Sequence, residues 1–334
     1  TDGYGEPCHS GMYRHLWSNG PKECLEFPDY TFEKHFGKAI PSFPPRPVLR
    51  DYLEGRWTNN VNLKPYIRFS TVVRHVEYNE RDKKFTVDIT NLETDTSLKE
   101  SFDYVIVATG IFNVPNIPDF PGLDTFEGRI LHSHDFRDHI FKDGSSAEID
   151  AVLLCTGYKY SFPFMEDNLR LRSTLTMFPD NTYKGLLYFM GEDSRLFYMG
   201  LQDQYYSYTM FDVEAQWICK YILGKLPNEP KSLSEMKENS KEWYEKRSKL
   251  KNAHDDIDFQ TAYIADLCKD TGYNPDVTKA GEMFHTWEND KDKNIATYRD
   301  QCFTSTFTGT KSPAHTAPWW QAKDDSIKAF VNKK

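Results

Sequence analysis

Two stretches of this chain end in the same way, and they constrain the fold more than anything else in it. Residues 102–111 read FDYVIVATGI and residues 149–158 read IDAVLLCTGY. Each holds an Asp, a continuous apolar run, a small residue or Cys, and then Thr-Gly, with prolines following. A continuous apolar run is what a parallel strand covered on both faces requires. Thr-Gly at its carboxyl end puts small, permissive backbone where a ligand can come close. Two such strands, 47 residues apart from Asp103 to Asp150, predict an α/β fold with a duplicated nucleotide-binding architecture. Thr109, Gly110, Thr156 and Gly157 are its candidate cofactor-binding residues.

The spacing is short for that architecture. A complete βαβ unit takes about 30 residues or more, and little separates the two runs beyond a proline-rich loop, the segment 126–141 and the turn 142–146. None of the 18 glycines forms a Gly-x-Gly-x-x-Gly loop: Gly3 and Gly5 have Cys8 at the third position and follow no strand. The chain carries strands that finish nucleotide domains without the loops that begin them.

Elsewhere the pattern is mixed. Residues 48–56 predict a short helix, with Val48, Leu49, Tyr52 and Leu53 on one face. Residues 66–76 and 84–89 predict two antiparallel strands joined by the charged turn 79–83, and the alternation of Phe85, Val87 and Ile89 supports the second. Residues 212–224, 232–251, 253–268 and 324–334 read as helices in a mostly helical remainder.

The net charge of −9 comes without a basic stripe, which argues against nucleic acid. The apolar runs are far too short to span a bilayer, and the polar opening 1–7 has no signal-peptide pattern, so a soluble cytoplasmic protein is expected. Six cysteines are scattered without a CxxC pair, as in a reducing compartment; Cys155, inside an apolar run, is expected to be buried. His132 and His134 lack further ligands at metal spacing, so no metal is expected. Aromatic residues make up 15% of the chain, enough either for an aromatic core or for pockets taking flat or cationic ligands.

Four segments together resemble the flavin-containing monooxygenase family, and in particular its bacterial trimethylamine-oxidising members. FEGRILHSHDF at 126–136 fits the family pattern FxGxxxHxxx(Y/F) at Phe126, Gly128, His132 and Phe136. LCTGY at 154–158 resembles the family's FATGY motif, and ATG at 108–110 resembles the end of the first part of its flavin domain. Residues 12–32 and 199–212 are similar to segments of the amine-oxidising branch. The likeness runs from Gly5 to beyond Trp319.

The resemblance implies a flavoprotein with two dinucleotide-binding domains, an FAD domain with an inserted NADP domain. On that layout 1–140 is the first part of the FAD domain, 141–158 a return strand of the NADP domain, and 159–334 the second part of the FAD domain. Two blocks have no counterpart here: a strand and glycine loop expected before Thr1, and an NADP domain expected between His132 and Asp150, with the join near 140–142. Two explanations stay open, that these are joined pieces of a longer polypeptide or that the protein is a deletion variant.

The implied activity is NADPH- and FAD-dependent N-oxygenation of small tertiary amines, trimethylamine to its N-oxide, by dioxygen through a flavin hydroperoxide. A homodimer is expected by analogy. Alternatives are a related sulfide or amine oxygenase, or a non-catalytic remnant serving as a scaffold. The resemblance makes Asn19 the catalytic amide beside the flavin, able to donate and accept; Ser-Asn-Gly-Pro is also strong turn chemistry. Tyr13 and Trp17 flank that loop and are expected to pack on the cofactor. Gln202 and Gln204 match a loop reaching the flavin ring, and ordinary loop polarity explains them equally well. Tyr205, a Trp in some relatives, and Trp287 match a substrate pocket, although core packing is the commoner fate of a Trp.

Overall fold

A computed structural model describes the chain except residues 1, 8–10, 14, 61, 136–150, 173–175, 192, 203–204, 228–231, 274, 316–324 and 333–334. The fold is mixed α/β. Its first sheet is an antiparallel meander of β1 (Thr71–Asn79), β2 (Lys84–Asn91) and β3 (Thr96–Phe102). Asparagine starts both turns: the Asn79 side-chain oxygen accepts from the Arg81 and Asp82 amides, and that of Asn91 from the Glu93 and Thr94 amides. These local bonds fix the register, and Phe85, Val87 and Ile89 are buried as their alternation predicts. The third strand, which the sequence reading did not separate, follows from the second Asn turn. The first strand starts at Thr71 because Lys64–Tyr66 forms a 3-10 turn and Ser70 takes a positive φ of 49°.

A second sheet has the order β4-β11-β10-β9, from β4 (Val105–Val107), β9 (Thr182–Tyr183), β10 (Leu187–Tyr188) and β11 (Leu196–Tyr198), with β4 and β11 parallel. Two small ribbons complete the β structure. β5 (Val114–Pro115) pairs antiparallel with β8 (Tyr158–Lys159), and β6 (Arg129–His132) pairs parallel with β7 (Ala151–Leu154).

The two apolar runs therefore lie in separate sheets as β4 and β7, and neither is covered on both faces. Val107 and Leu154 are buried, but Ile106 is 46% and Leu153 51% exposed. Among the described residues each strand has a single hydrogen-bonded neighbour and packs through one face only. Cys155, next after buried Leu154, falls on the opposite face and is exposed, not buried.

The helices are α1 (Phe32–Phe36), α2 (Arg46–Gly55), α3 (Ser207–Ile222), α4 (Leu233–Arg247), α5 (Ala253–Thr271), α6 (Val277–Lys293) and α7 (Ile327–Asn332). Their starts follow capping rules: Ser232, Asn252 and Asp276 accept from amides in the first turns of α4, α5 and α6. Gly272, with φ 65°, stops α5. The sequence reading did not single out α6, which carries Trp287. Among the described residues no helix is long and apolar enough to cross a membrane.

The main core packs α3, α4, α5 and α6 around Trp217, Trp243, Tyr263 and Phe284. Trp217 is fully buried, stacks on Tyr221 at 5.5 Å and donates Nε1–H to Asp270 at 3.0 Å. Asp270 also pairs with the buried Lys184 ammonium at 3.1 Å, and Lys184 with Asp266 at 2.7 Å. Trp217→Ala should cost about 3–5 kcal/mol, the usual loss for a fully buried Trp, and Trp217→Phe less. Urea unfolding midpoints measure both; an Ala variant as stable as the wild type would contradict this packing.

Candidate functional site

The turn carrying Asn19 is held from several sides. Ser18 N–H donates to the Pro44 carbonyl and Arg46 N–H to the Leu16 carbonyl, both at 2.9 Å, and Trp17 forms a β-bridge with Pro45. Arg299 Nε–H donates to the Ser18 carbonyl at 2.9 Å, and Ser18 Oγ closes the turn on the Gly20 carbonyl. Beneath it, Glu23 accepts from Ser42 and Ser312 and pairs with Lys22 at 2.7 Å, while Glu26 accepts from the Phe32 amide and Ser305. The Ser-Asn-Gly-Pro turn is thus real turn structure. It leaves the Asn19 side chain exposed, with no hydrogen bond among the described residues.

Asn19 lines two cavities. The first, about 750 Å³, is also lined by Tyr13, Thr109, Gly110, Ile111, Phe112, Asn113, Ser133 and Tyr158. Gly110 has φ 80° and nothing within 4 Å of where a Cβ would stand. The second Thr-Gly meets this region from its own ribbon: the Thr156 carbonyl accepts from Asn116 Nδ2–H at 3.2 Å, the Gly157 carbonyl from Asn116 N–H at 2.8 Å, and Thr156 Oγ–H donates to the Asn116 carbonyl. This clip brings the ends of β4 and β7 to one cleft. Thr156 and Gly157 sit in the clip and Tyr158 in the cavity wall. Tyr158 also joins two of the sequence motifs, its ring lying edge-on to His132 at 5.4 Å and to Phe112 at 5.1 Å.

The second cavity, about 620 Å³, shares Met12, Leu16 and Asn19 with the first and adds Trp17, Tyr205, Phe284 and Trp287, together with Arg46, Asp256, Lys291 and Arg299. Tyr205, Phe284 and Trp287 form a mutual edge-to-face triplet with centroids 5.8–6.1 Å apart. Tyr205 N–H donates to the buried Gln260 amide oxygen at 2.8 Å. Gln202 points elsewhere: it is fully buried, lines neither cavity, and donates Nε2–H to Tyr263 Oη at 3.1 Å and to the Gly185 carbonyl at 3.3 Å. Gln204 and the motif residue Phe136 lie outside the described residues.

Helix α3 carries a buried carboxyl. Glu214 on α3 accepts from Gly200 N–H at 2.9 Å and lies 3.0 Å from Tyr263 Oη on α5. Burial pushes its pKa up to about 8, the two hydrogen bonds opposing the shift only in part.

A family model described as flavin-binding monooxygenase-like matches residues 3–139 and 136–282. The chain belongs to this family and is a flavin-containing monooxygenase. It is 42% identical over 400 residues to the trimethylamine monooxygenase of Methylocella silvestris, covering 100% of this chain and 87% of that protein. The crystal structure of Tmm from Pelagibacter sp. strain HTCC7211 superposes with a TM-score of 0.89 at 37% identity, over 99% of this chain and 88% of that one. The S-allyl-L-cysteine S-oxygenase of Allium sativum shares the fold, with a TM-score of 0.72 at 21% identity over 89% and 82% of the two chains.

Sequence reasoning passed over Arg46, Lys291, Arg299 and Glu214. The charged cavity residues carry no local signal, since cations on helices are commonly solvated. Glu214 had one: it falls on the buried stripe of α3 with Met210, Val213 and Trp217. Folded Glu214 keeps its proton to about pH 8 where the free side chain ionises at 4.5, so folding takes up a proton between those values. Stability should therefore fall as pH rises from about 4.5 to 8 and level off above. Melting temperatures measured from pH 5 to 9 should fall less for Glu214→Gln than for the wild type; parallel curves would rule the effect out.

Proposed function

We propose that this protein is an NADPH- and FAD-dependent monooxygenase that N-oxygenates small tertiary amines, converting trimethylamine to its N-oxide. The observation that carries the reading is Asn19, whose unbonded amide stands between a cavity suited to a flat cofactor and a cavity with aromatic walls. The trimethylamine monooxygenases among its relatives support the choice of substrate.

The first cavity fits a flavin ring on two counts. Gly110 leaves open space where any side chain would stand, and Asn113 Oδ1, in the same wall, is buried with no hydrogen-bond partner among the described residues. Tyr13, Thr109, Gly110 and Tyr158 would hold the ring. Flavin reduced by NADPH would supply the electrons and the dioxygen chemistry. The chain's own part is to orient and to exclude water. Asn19 offers both a donor and an acceptor to a group that gains and loses a proton. Ser18 and Arg299 keep that amide aimed, and Tyr205, Phe284 and Trp287 form a dry wall around the amine methyl groups.

The domain plan belongs to the same proposal: 1–140 and 159–334 as two parts of one FAD domain, with 141–158 a return strand of an inserted nicotinamide domain. The family match breaks into two stretches meeting at 136–139, and the alignment to the Methylocella relative spans 400 residues against 334 here. Both support an insertion in the relative at that place. The aromatic cavity would also admit a thioether, so sulfide oxygenation is the alternative.

Asn19→Ala should keep its flavin absorbance and lose about 100-fold or more of kcat, as when a preorganised donor is removed; wild-type turnover in that variant would remove Asn19 from the chemistry. Oxygen transfer uses the nitrogen lone pair. Accordingly kcat/KM for trimethylamine should fall as pH drops and the amine protonates, whereas a thioether should show no such limb. Identical acid limbs for the two would refute the amine step. Absence of flavin absorbance and of NADPH-driven oxygen uptake would favour the scaffold reading.

A further inference from the structure

The aromatic cavity has a charge pattern that its proposed amine substrate does not account for. Three cations, Arg46, Lys291 and Arg299, line it against one carboxylate, Asp256. Lys291 has the most pointed position. Its ammonium stands 4.7 Å from the centroid of the Trp287 ring and 2.7 Å from Glu288 Oε2. Glu288 is itself buried, 5% exposed, and does not line the cavity.

The three residues sit on α6, where positions three and four apart share a side of the helix. Glu288 thus anchors the ammonium from behind and Trp287 receives it on a π face. An organic cation is attracted to an aromatic ring chiefly through that face. Here a built-in cation already uses the largest ring of the triplet, and its charge is directed against any second cation entering the cavity.

We propose that Lys291, held by Glu288 over Trp287, is a specificity-determining residue that makes this cavity take neutral substrates and turn away organic cations of the same size and shape. The free amine and the thioether are admitted; their ammonium and sulfonium counterparts are not. The inference rests on the reading of this cavity as the substrate site, and it adds a selection in binding to the lone-pair requirement of the chemistry.

Dimethyl sulfide and trimethylsulfonium form a suitable probe pair, neutral and cationic and one methyl group apart; neither changes charge with pH, and the change of their ratio on substitution separates charge from size. Their binding to the flavin-loaded enzyme is measured by titration calorimetry. The wild type should bind the sulfide at least about tenfold more tightly than the sulfonium. Lys291→Met should tighten sulfonium binding about tenfold and change sulfide binding less than twofold, while Lys291→Arg should keep the wild-type ratio. Because Lys291→Met leaves Glu288 buried without its cation, the double variant Lys291→Met, Glu288→Gln is measured beside it and should show the same change if the single variant folds poorly. A ratio that stays put in both Met variants, or that moves equally for the two ligands, overturns the filter. That failure would leave NADPH-driven oxygenation of amine and sulfide intact, whereas failure of the parent reading would show as no turnover of either.

Discussion

One buried carboxyl holds together the back of the site. Glu214 takes the Gly200 amide at the end of β11 and meets Tyr263 from α5, which in turn receives the Gln202 amide. Three elements that share no sheet or helix are fixed to each other at one point. The close packing leaves no room for change: a side chain at Gly185, where φ is 67°, would meet Gln202 Nε2 at 2.8 Å and Tyr263 Oη at 3.2 Å. Burying a carboxyl is costly unless it is hydrogen-bonded or neutral, and here it is both.

The front of the site rests on a different device. β4 and β7 do not share a sheet, and their Thr-Gly ends are joined by the short β5–β8 pairing just beyond them. The Asn116 clip adds bonds to both residues of the second Thr-Gly. Tyr158 completes the junction by stacking edge-on to the motif histidine and to Phe112. The FxGxxxH and TGY motifs, far apart in the chain, are two sides of one contact.

Much of this was legible in the residues, though unevenly. Alternation at Phe85, Val87 and Ile89 marked a half-buried strand, and apolar residues at helical spacing before Gly224 marked α3, because both signals are local and periodic. The first Thr-Gly ending lies in a cavity wall, but the inference from apolar runs to doubly covered strands failed at Ile106 and Leu153. An apolar run reports what a strand tolerates, whereas coverage depends on which layers this chain itself supplies. The cavity cations were silent for a related reason. Lys291 reads as a solvated helix charge, and only the placement of α6 against Tyr205 turns it toward a cavity.

The two cavities have a common partition in Met12, Leu16 and Asn19. Residues that line both cavities belong to both at once, so a substitution at Met12, Leu16 or Asn19 changes the outline of each chamber together.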